Sequence, residues 1–219
     1  MMWIVNMWEE LWSYLVKNGP VLAFTGTMIT LLVNLFTSKK DKKKSLRAFI
    51  TTDLIKSNFE LEGYHSKKGS KLFITKNYEE VLSEYNKISH PIKELNEIPC
   101  TFLKIKNITP NHCFRPRVEV NLIAESKGIK SAKFDIYMLQ ADEEVYIPLL
   151  SDDTEGIFTE TIKVTYSTLA NEDMTYKSKT IREEGQVVQI IESVYVKGWF
   201  RNKTIITSLG SNSKWKVLD

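Results

Sequence analysis

Cysteine, glycine, proline and histidine are all scarce in this chain of 219 residues. Two cysteines exclude a disulfide-rich scaffold and a four-cysteine zinc site. Nine glycines and six prolines exclude collagen-like and proline-rich low-complexity sequences. Hydrophobic residues make up 42% and charged residues 26%, which fits neither a disordered tail nor a multi-span membrane protein.

Motifs for catalysis are also missing. The chain has no phosphate-binding glycine loop, no HExxH zinc motif and no GxSxG nucleophile elbow. His65, His90 and His112 are far apart in sequence, and none has a partner at metal-ligand spacing. His112 adjoins Cys113, but neighbouring strand residues point to opposite faces, which argues against a nucleophile–base pair. We therefore predict no catalytic, cofactor-binding or metal site, and no enzyme.

Two acidic groups are candidates for calcium ligands. They are residues 142–144 and residues 152–155, and neither has the spaced oxygen pattern of an EF-hand loop. Charged residues favour surface turns, so both groups are predicted to be solvated loop charges.

One long uncharged run lies near the N-terminus. Pro20 to Phe36 contains no charged residue, and the uncharged stretch extends from Asn18 to Ser38. A helix of that length spans roughly 30 Å, which matches the hydrocarbon core of a bilayer. A lysine block follows at once, which argues against a buried core helix. We predict one transmembrane helix over residues 19–38, with the lipid bilayer as a partner.

Basic residues crowd the C-terminal flank of this run. Residues 39–47 carry a net charge of +5, from Asp41 and the cations Lys39, Lys40, Lys42, Lys43, Lys44 and Arg47. The whole chain carries +3, so the remaining residues sum to −2, which argues against a nucleic-acid partner. The flank has no small-residue cleavage site and predicts a retained single-pass anchor in the cell membrane. The positive-inside rule places the N-terminus outside and residues 39–219 in the cytoplasm.

The first 18 residues are amphipathic and rich in tryptophan. Trp3, Trp8 and Trp12 are predicted to lie at the membrane interface, where tryptophan is enriched. The sequence Asn18-Gly19-Pro20 indicates a break before the span, but one kinked helix explains the same pattern. Small residues recur every four positions and would allow helices to associate into a homo-oligomer: Gly19, Ala23 and Thr27, and also Gly26 and Thr30.

Residues 39–98 are predicted to form a basic stop-transfer flank and a helical connector. Leu46, Phe49, Ile50 and Leu54 recur at helical spacing, which predicts a juxtamembrane helix over 45–61. A second short helix is predicted over 78–89, where Asn77 and Glu80 resemble a capping box.

From about residue 99 the apolar period changes to two. Leu103 and Ile105 alternate with lysines, and six later runs repeat the pattern, near 117–122, 133–138, 145–149, 162–166, 176–181 and 187–196. Half-buried antiparallel strands at this spacing predict an immunoglobulin-like β-sandwich over 99–219, with an edge strand at 204–209. Cys100 and Cys113 should be thiols if the domain is cytosolic. The fold class is therefore mainly β.

This layout is typical of bacterial membrane-anchored proteins but indicates no particular family. Two hypotheses about function follow from it. The first is a membrane-anchored interaction or ligand-sensing module, whose partner is an unknown protein or small ligand. The alternative is a membrane-disrupting effector, of the kind found in defence or toxin-like systems, whose sandwich senses a signal and whose anchors oligomerise. An enzyme whose site forms only in three dimensions ranks last.

Overall fold

The computed structural model of the chain describes residues 2–61, 67–88, 98–124, 128–149, 157–183, 186–198 and 202–210. The chain divides into two compact units, residues 1–45 and residues 46–219. His65, His90 and the acidic residues 152–155 lie outside the described residues.

The first unit is a single α-helix, α1, which runs from Met2 to Ser45 over 44 residues. At a rise of about 1.5 Å per residue it is roughly 66 Å long. The helix continues through Pro20, although proline has no N–H to bond to the preceding turn. Of the two alternatives left open for the N-terminal segment, a continuous helix is therefore the one observed.

The second unit is mainly β, as predicted, and contains one described helix. Its elements are β1 (Ile50–Asn58), β2 (Lys71–Leu72), α2 (Lys76–Tyr85), β3 (Pro99–Asn107), β4 (Cys113–Ala124), β5 (Gly128–Asp135), β6 (Met138–Leu139), β7 (Glu144–Pro148), β8 (Ile157–Ser167), β9 (Asp173–Glu183), β10 (Gln186–Val196) and β11 (Lys203–Gly210). One sheet has the order β1-β3-β7-β2, and the other has the order β11-β10-β9-β8-β4-β5, with β6 paired to β4. The strand pairs are antiparallel except β2 with β7.

The predicted juxtamembrane helix over 45–61 is wrong, because these residues include β1. β1 pairs with β3 along nine positions, from Ile50 opposite Asn107 to Asn58 opposite Pro99. The apolar spacing is compatible with a helix, but the β-branched residues Ile50, Thr51, Thr52 and Ile55 favour a strand. Pairing with β3 then decides the conformation.

Both sheets contribute to one hydrophobic core. Leu103 and Ile105 of β3 and Val118 and Val120 of β4 have no exposed surface and belong to the same cluster. Alternate residues of a strand point to opposite faces, so each sheet buries one face in this core. The arrangement is thus two β layers around a shared interior.

A second cluster covers the outer face of the four-stranded sheet. It includes Ile55, Phe102 and Tyr146 from the sheet, and Tyr78 from α2. The Tyr78 ring stacks on Phe59 with the centroids 4.3 Å apart, and its hydroxyl donates to the Phe59 carbonyl at 2.9 Å. The second predicted helix is confirmed, although it begins after the cap residue Thr75 and ends at Tyr85.

The two cysteines are free thiols, and their positions explain why. Cys100 belongs to the cluster under α2, whereas Cys113 belongs to the core between the sheets. Burial raises the pKa of each thiol to about 12. Both groups are therefore protonated at neutral pH and react slowly unless another thiol lies beside them.

The register of β1 and β3 can be tested with one added cysteine. Ser57 lies directly opposite Cys100, and opposite residues in antiparallel strands have Cβ atoms about 4.5–5.5 Å apart. We expect Ser57→Cys to form an intramolecular disulfide with Cys100 after mild oxidation of the full chain, leaving Cys113 as the free thiol. Free-thiol titration and peptide mass mapping would detect it.

The matched control is Lys56→Cys, since residue 56 points to the opposite face from residue 57. It should not cross-link to Cys100. Equal cross-linking in both variants, or none in Ser57→Cys, would contradict the observed register.

Candidate functional site

Part of α1 is long and apolar enough to cross a membrane. Within Val16–Ser45, an 18-residue window has a mean hydropathy of 1.7, and none of that window is buried in the structure. Large side chains such as Phe24, Ile29 and Phe36 are more than half exposed. A surface this apolar is rare on a soluble monomer and is typical of a membrane or protein contact.

The polar side chains in this stretch bond within the helix. The hydroxyl groups of Thr25, Thr27 and Thr30 donate to carbonyls three or four residues earlier, at 2.8–3.0 Å. Such bonds satisfy the hydroxyl group without water, which makes threonine tolerable in lipid. The small residues of the predicted association face therefore lie on a helix that is suited to an apolar surrounding, and Gly19 and Gly26 have open space around them.

The predicted basic flank separates into two parts. Lys39, Lys40, Lys42, Lys43 and Lys44 are exposed on the last turns of α1, where Lys44 pairs with Asp41 at 2.9 Å. Cations there also complement the negative end of the helix dipole. Of the three predicted interfacial tryptophans, the Trp12 side chain is exposed, while the side chains of Trp3 and Trp8 lie outside the described residues.

Arg47 differs from these lysines because it is part of the β domain. Its Nε and a terminal nitrogen donate to the two carboxylate oxygens of Glu172, at 2.8 and 3.1 Å. The two side chains are only 17% and 14% exposed. This bidentate pair occupies Arg47, so the flank available to lipid consists of the five lysines.

The backbone next to Arg47 is also bonded to the domain. The Arg47 carbonyl accepts from Asn111 at 3.0 Å, and the Ala48 carbonyl accepts from the Tyr166 hydroxyl at 2.9 Å. The Phe49 carbonyl accepts from the Ile108 N–H at 2.9 Å. Three successive carbonyls thus fix the start of β1.

The prediction of solvated loop charges is wrong for Glu143 and Glu144, which are buried. The Glu144 carboxylate accepts hydrogen bonds from Lys104 and Lys106 at 3.1 Å each, and from the Tyr146 hydroxyl at 3.0 Å. Burial acts to raise the pKa of Glu144, but these hydrogen bonds outweigh it and hold the pKa below its usual range. The cause is strand register, since Lys106 of β3 lies opposite Glu144 of β7. Among the described residues, acidic, histidine and cysteine side chains form no group that could hold a metal ion.

The outer face of the seven-stranded sheet carries a cleft of about 730 Å³. Its lining includes four cations and two carboxylates: Arg115, Arg117, Lys163, Lys197, Asp135 and Asp173. We call this the basic cleft. Asp135, Arg117, Thr165 and Thr175 lie in one row across four neighbouring strands. The sequence pattern does not indicate the basic cleft, because its residues come from separate strands and loops.

Most charges in the basic cleft are paired. Arg117 Nε donates to Asp135 at 2.8 Å, and Lys197 lies 3.8 Å from Asp173. Lys163 pairs with Glu119 at 2.9 Å. Within the part of the chain that the structure describes, Arg115 has no acidic side chain within ion-pair distance.

Arg115 sits at an irregularity of β4. Its φ angle is 49°, a left-handed conformation that non-glycine residues rarely adopt. The register of β4 against β8 shifts between Phe114 and Arg117. The Arg115 N–H donates to the Tyr137 carbonyl at 2.9 Å, which brings this bulge beside a tyrosine that is 85% exposed. Bulges of this kind redirect side chains and are common next to functional sites.

Comparison with known proteins gives no relatives: no family model, curated protein or solved structure matches this chain.

The Arg47–Glu172 pair is expected to stabilise the domain. Glu172→Gln keeps the size of the side chain but removes its charge, and should lower the free energy of unfolding by about 1–3 kcal/mol. Urea denaturation of the full chain in detergent micelles would measure this. Glu80→Gln is the control, because Glu80 is exposed and 3.8 Å from Lys76, and it should change stability by less than about 0.5 kcal/mol.

Glu144 is expected to make the free energy of unfolding depend on pH. Its pKa is lowered in the folded state, so its contribution is present above the unfolded pKa of about 4.3 and is lost as pH falls through the lower folded value. Glu144→Gln should therefore be less stable than the parent at pH 7, and should lose less stability than the parent on acidification below about pH 4. Urea denaturation at both pH values checks this, and equal acid sensitivity in the two proteins would contradict it.

Proposed function

We propose that this chain is a single-pass membrane protein that presents a cytosolic β domain as an interaction or ligand-sensing module. The observation that carries the proposal is the unburied apolar stretch within Val16–Ser45, which is followed in sequence by a folded domain. Burial of apolar surface is worth about 25 cal/mol per Å², so a bilayer would stabilise this helix strongly relative to water.

The orientation follows from charge. Five exposed lysines lie at the C-terminal end of the span, whereas the other flank offers Lys17. The positive-inside rule then favours a cytosolic domain. Two free thiols are in keeping with a reducing compartment.

Recognition rather than catalysis is the role that we assign to the domain. Two antiparallel sheets around one core support an immunoglobulin-like sandwich, a scaffold whose loops and exposed faces serve binding. The sequence carries no catalytic motif, and charged side chains in the basic cleft form ion pairs, Arg117 with Asp135 and Lys163 with Glu119.

The alternative, a membrane-disrupting effector, has less support from the helix itself. A polar lesion needs side chains that are free to face water, but the threonine hydroxyls of the span bond to their own backbone. This pattern favours a lipid-embedded anchor.

Topology can be tested with a tag at the C-terminus of the full chain. In intact cells the tag should resist external protease, and it should be digested once the cells are lysed. The tagged protein should sediment with membranes and resist extraction by alkaline carbonate.

A matched variant, Lys39→Glu with Lys40, Lys42, Lys43 and Lys44 also changed to Glu, should lose this uniform orientation, since positive charge sets it. Digestion of the parent tag in intact cells would refute the cytosolic placement. Release by carbonate would refute the anchor.

A further inference from the structure

The basic cleft has an excess of positive charge that its own acids do not neutralise. Four cations line it against two carboxylates, and one of those cations also pairs with Glu119, which is not part of the lining. Arg117 bonds to Asp135 through Nε, and its terminal nitrogens have no hydrogen-bond partner among the described residues. Guanidinium groups with unused N–H donors are the preferred partners of phosphate oxygens.

Arg115 has a strained backbone conformation that neighbouring backbone hydrogen bonds maintain. Its left-handed conformation is fixed on both sides, by the bond from its N–H to Tyr137 and by the bond from the Ile136 N–H to the Pro116 carbonyl at 2.8 Å. An arginine needs no such conformation to remain in solvent, because a regular strand would expose it equally well. Strained residues in a cleft are common where a side chain is positioned for a ligand.

The rim of the cleft offers an aromatic surface next to this cation. Tyr137 is 85% exposed and lines the cleft with Arg115. An exposed tyrosine stacks well on a planar ring, and such stacking does not depend on the sequence or identity of the base. The cleft volume of about 730 Å³ falls within the range of roughly 300–1,000 Å³ that is usual for small-molecule sites.

We propose that the basic cleft binds a small nucleotide, with its phosphates on Arg115 and Arg117 and its base stacked on Tyr137. The hydroxyl groups of Thr165 and Thr175 lie in the same row as Arg117 and supply further hydrogen bonds. This inference rests on the proposed function, because it names the chemistry of the ligand that the module senses.

The test uses the full chain in lipid nanodiscs and isothermal titration calorimetry with three probes. ADP offers phosphates and a base, inorganic pyrophosphate offers phosphates alone, and adenosine offers the base alone. We expect ADP to bind tightest and adenosine weakest. Binding of ADP should weaken as salt is raised, because exposed charges are screened.

Three variants separate the contributions. Arg115→Asn removes the cation, and asparagine tolerates a positive φ, so the fold should be retained. It should weaken ADP and pyrophosphate by about tenfold or more. Tyr137→Ala should weaken ADP roughly 5- to 100-fold and leave pyrophosphate unchanged. Lys179→Gln removes an exposed cation of the same sheet outside the cleft lining, and should leave all three probes unchanged.

Each other outcome overturns the proposal. Absence of ADP binding refutes the site, and equal weakening by Arg115→Asn and Lys179→Gln shows general charge attraction. Equal affinity for ADP and pyrophosphate, with no effect of Tyr137→Ala, refutes the nucleotide. These readouts do not depend on orientation in the cell, so a failed topology test with intact ADP binding would refute the cytosolic placement and leave the cleft standing.

Discussion

The pairing of β1 with β3 is the interaction on which the rest of the domain depends. It makes β3 a central strand and delivers side chains to both faces of the four-stranded sheet, with Ile50 in the core between the sheets and Ile55 under α2. β1 begins only five residues after α1 ends, and the carbonyls of Arg47, Ala48 and Phe49 are bonded to the domain at its start. The folded unit therefore starts at the end of the helix. A chain that began at residue 99 would expose one edge of β3 and uncover both clusters.

The same sheet shows how strand register determines the state of its charges. Glu144 lies in a row with Lys106, and one step along the sheet Tyr146 lies opposite Lys104. A carboxylate that is nearly inaccessible to water is costly unless several donors satisfy it, and here two ammonium groups and a hydroxyl do so. Removal of one donor would leave the buried carboxylate less well satisfied, which makes this group of residues sensitive to single substitutions.

Local sequence pattern predicted the parts of the fold in which neighbouring residues decide the outcome. Alternation of apolar and charged residues identified β3, β4 and β8, and the uncharged run identified the membrane-compatible helix. The pattern failed where it was compatible with two structures. Apolar residues at 46, 49, 50 and 54 fit a helix, yet residues 50–58 form a strand because they pair with β3, which is distant in sequence. Acidic residues 143 and 144 have the sequence pattern of a surface loop, but they are buried and pair with lysines of neighbouring strands. Both errors arise from contacts between residues that are far apart in the chain.

The basic cleft could not be predicted from the sequence for a related reason, since its residues are brought together by strand pairing. It is a local group of cations in a domain that has no overall basic excess. The net charge of the chain is concentrated in residues 39–47, and the remainder is slightly acidic. A domain with no basic excess has little general attraction for polyanions or anionic lipid. Attraction of an anion to the cleft must then come from the local arrangement of Arg115 and Arg117. Such attraction acts through short-range hydrogen bonds and not through a long-range field of the whole domain. A phosphate ligand of the kind that we propose would then be selected by the shape and spacing of its oxygens and not by its total charge.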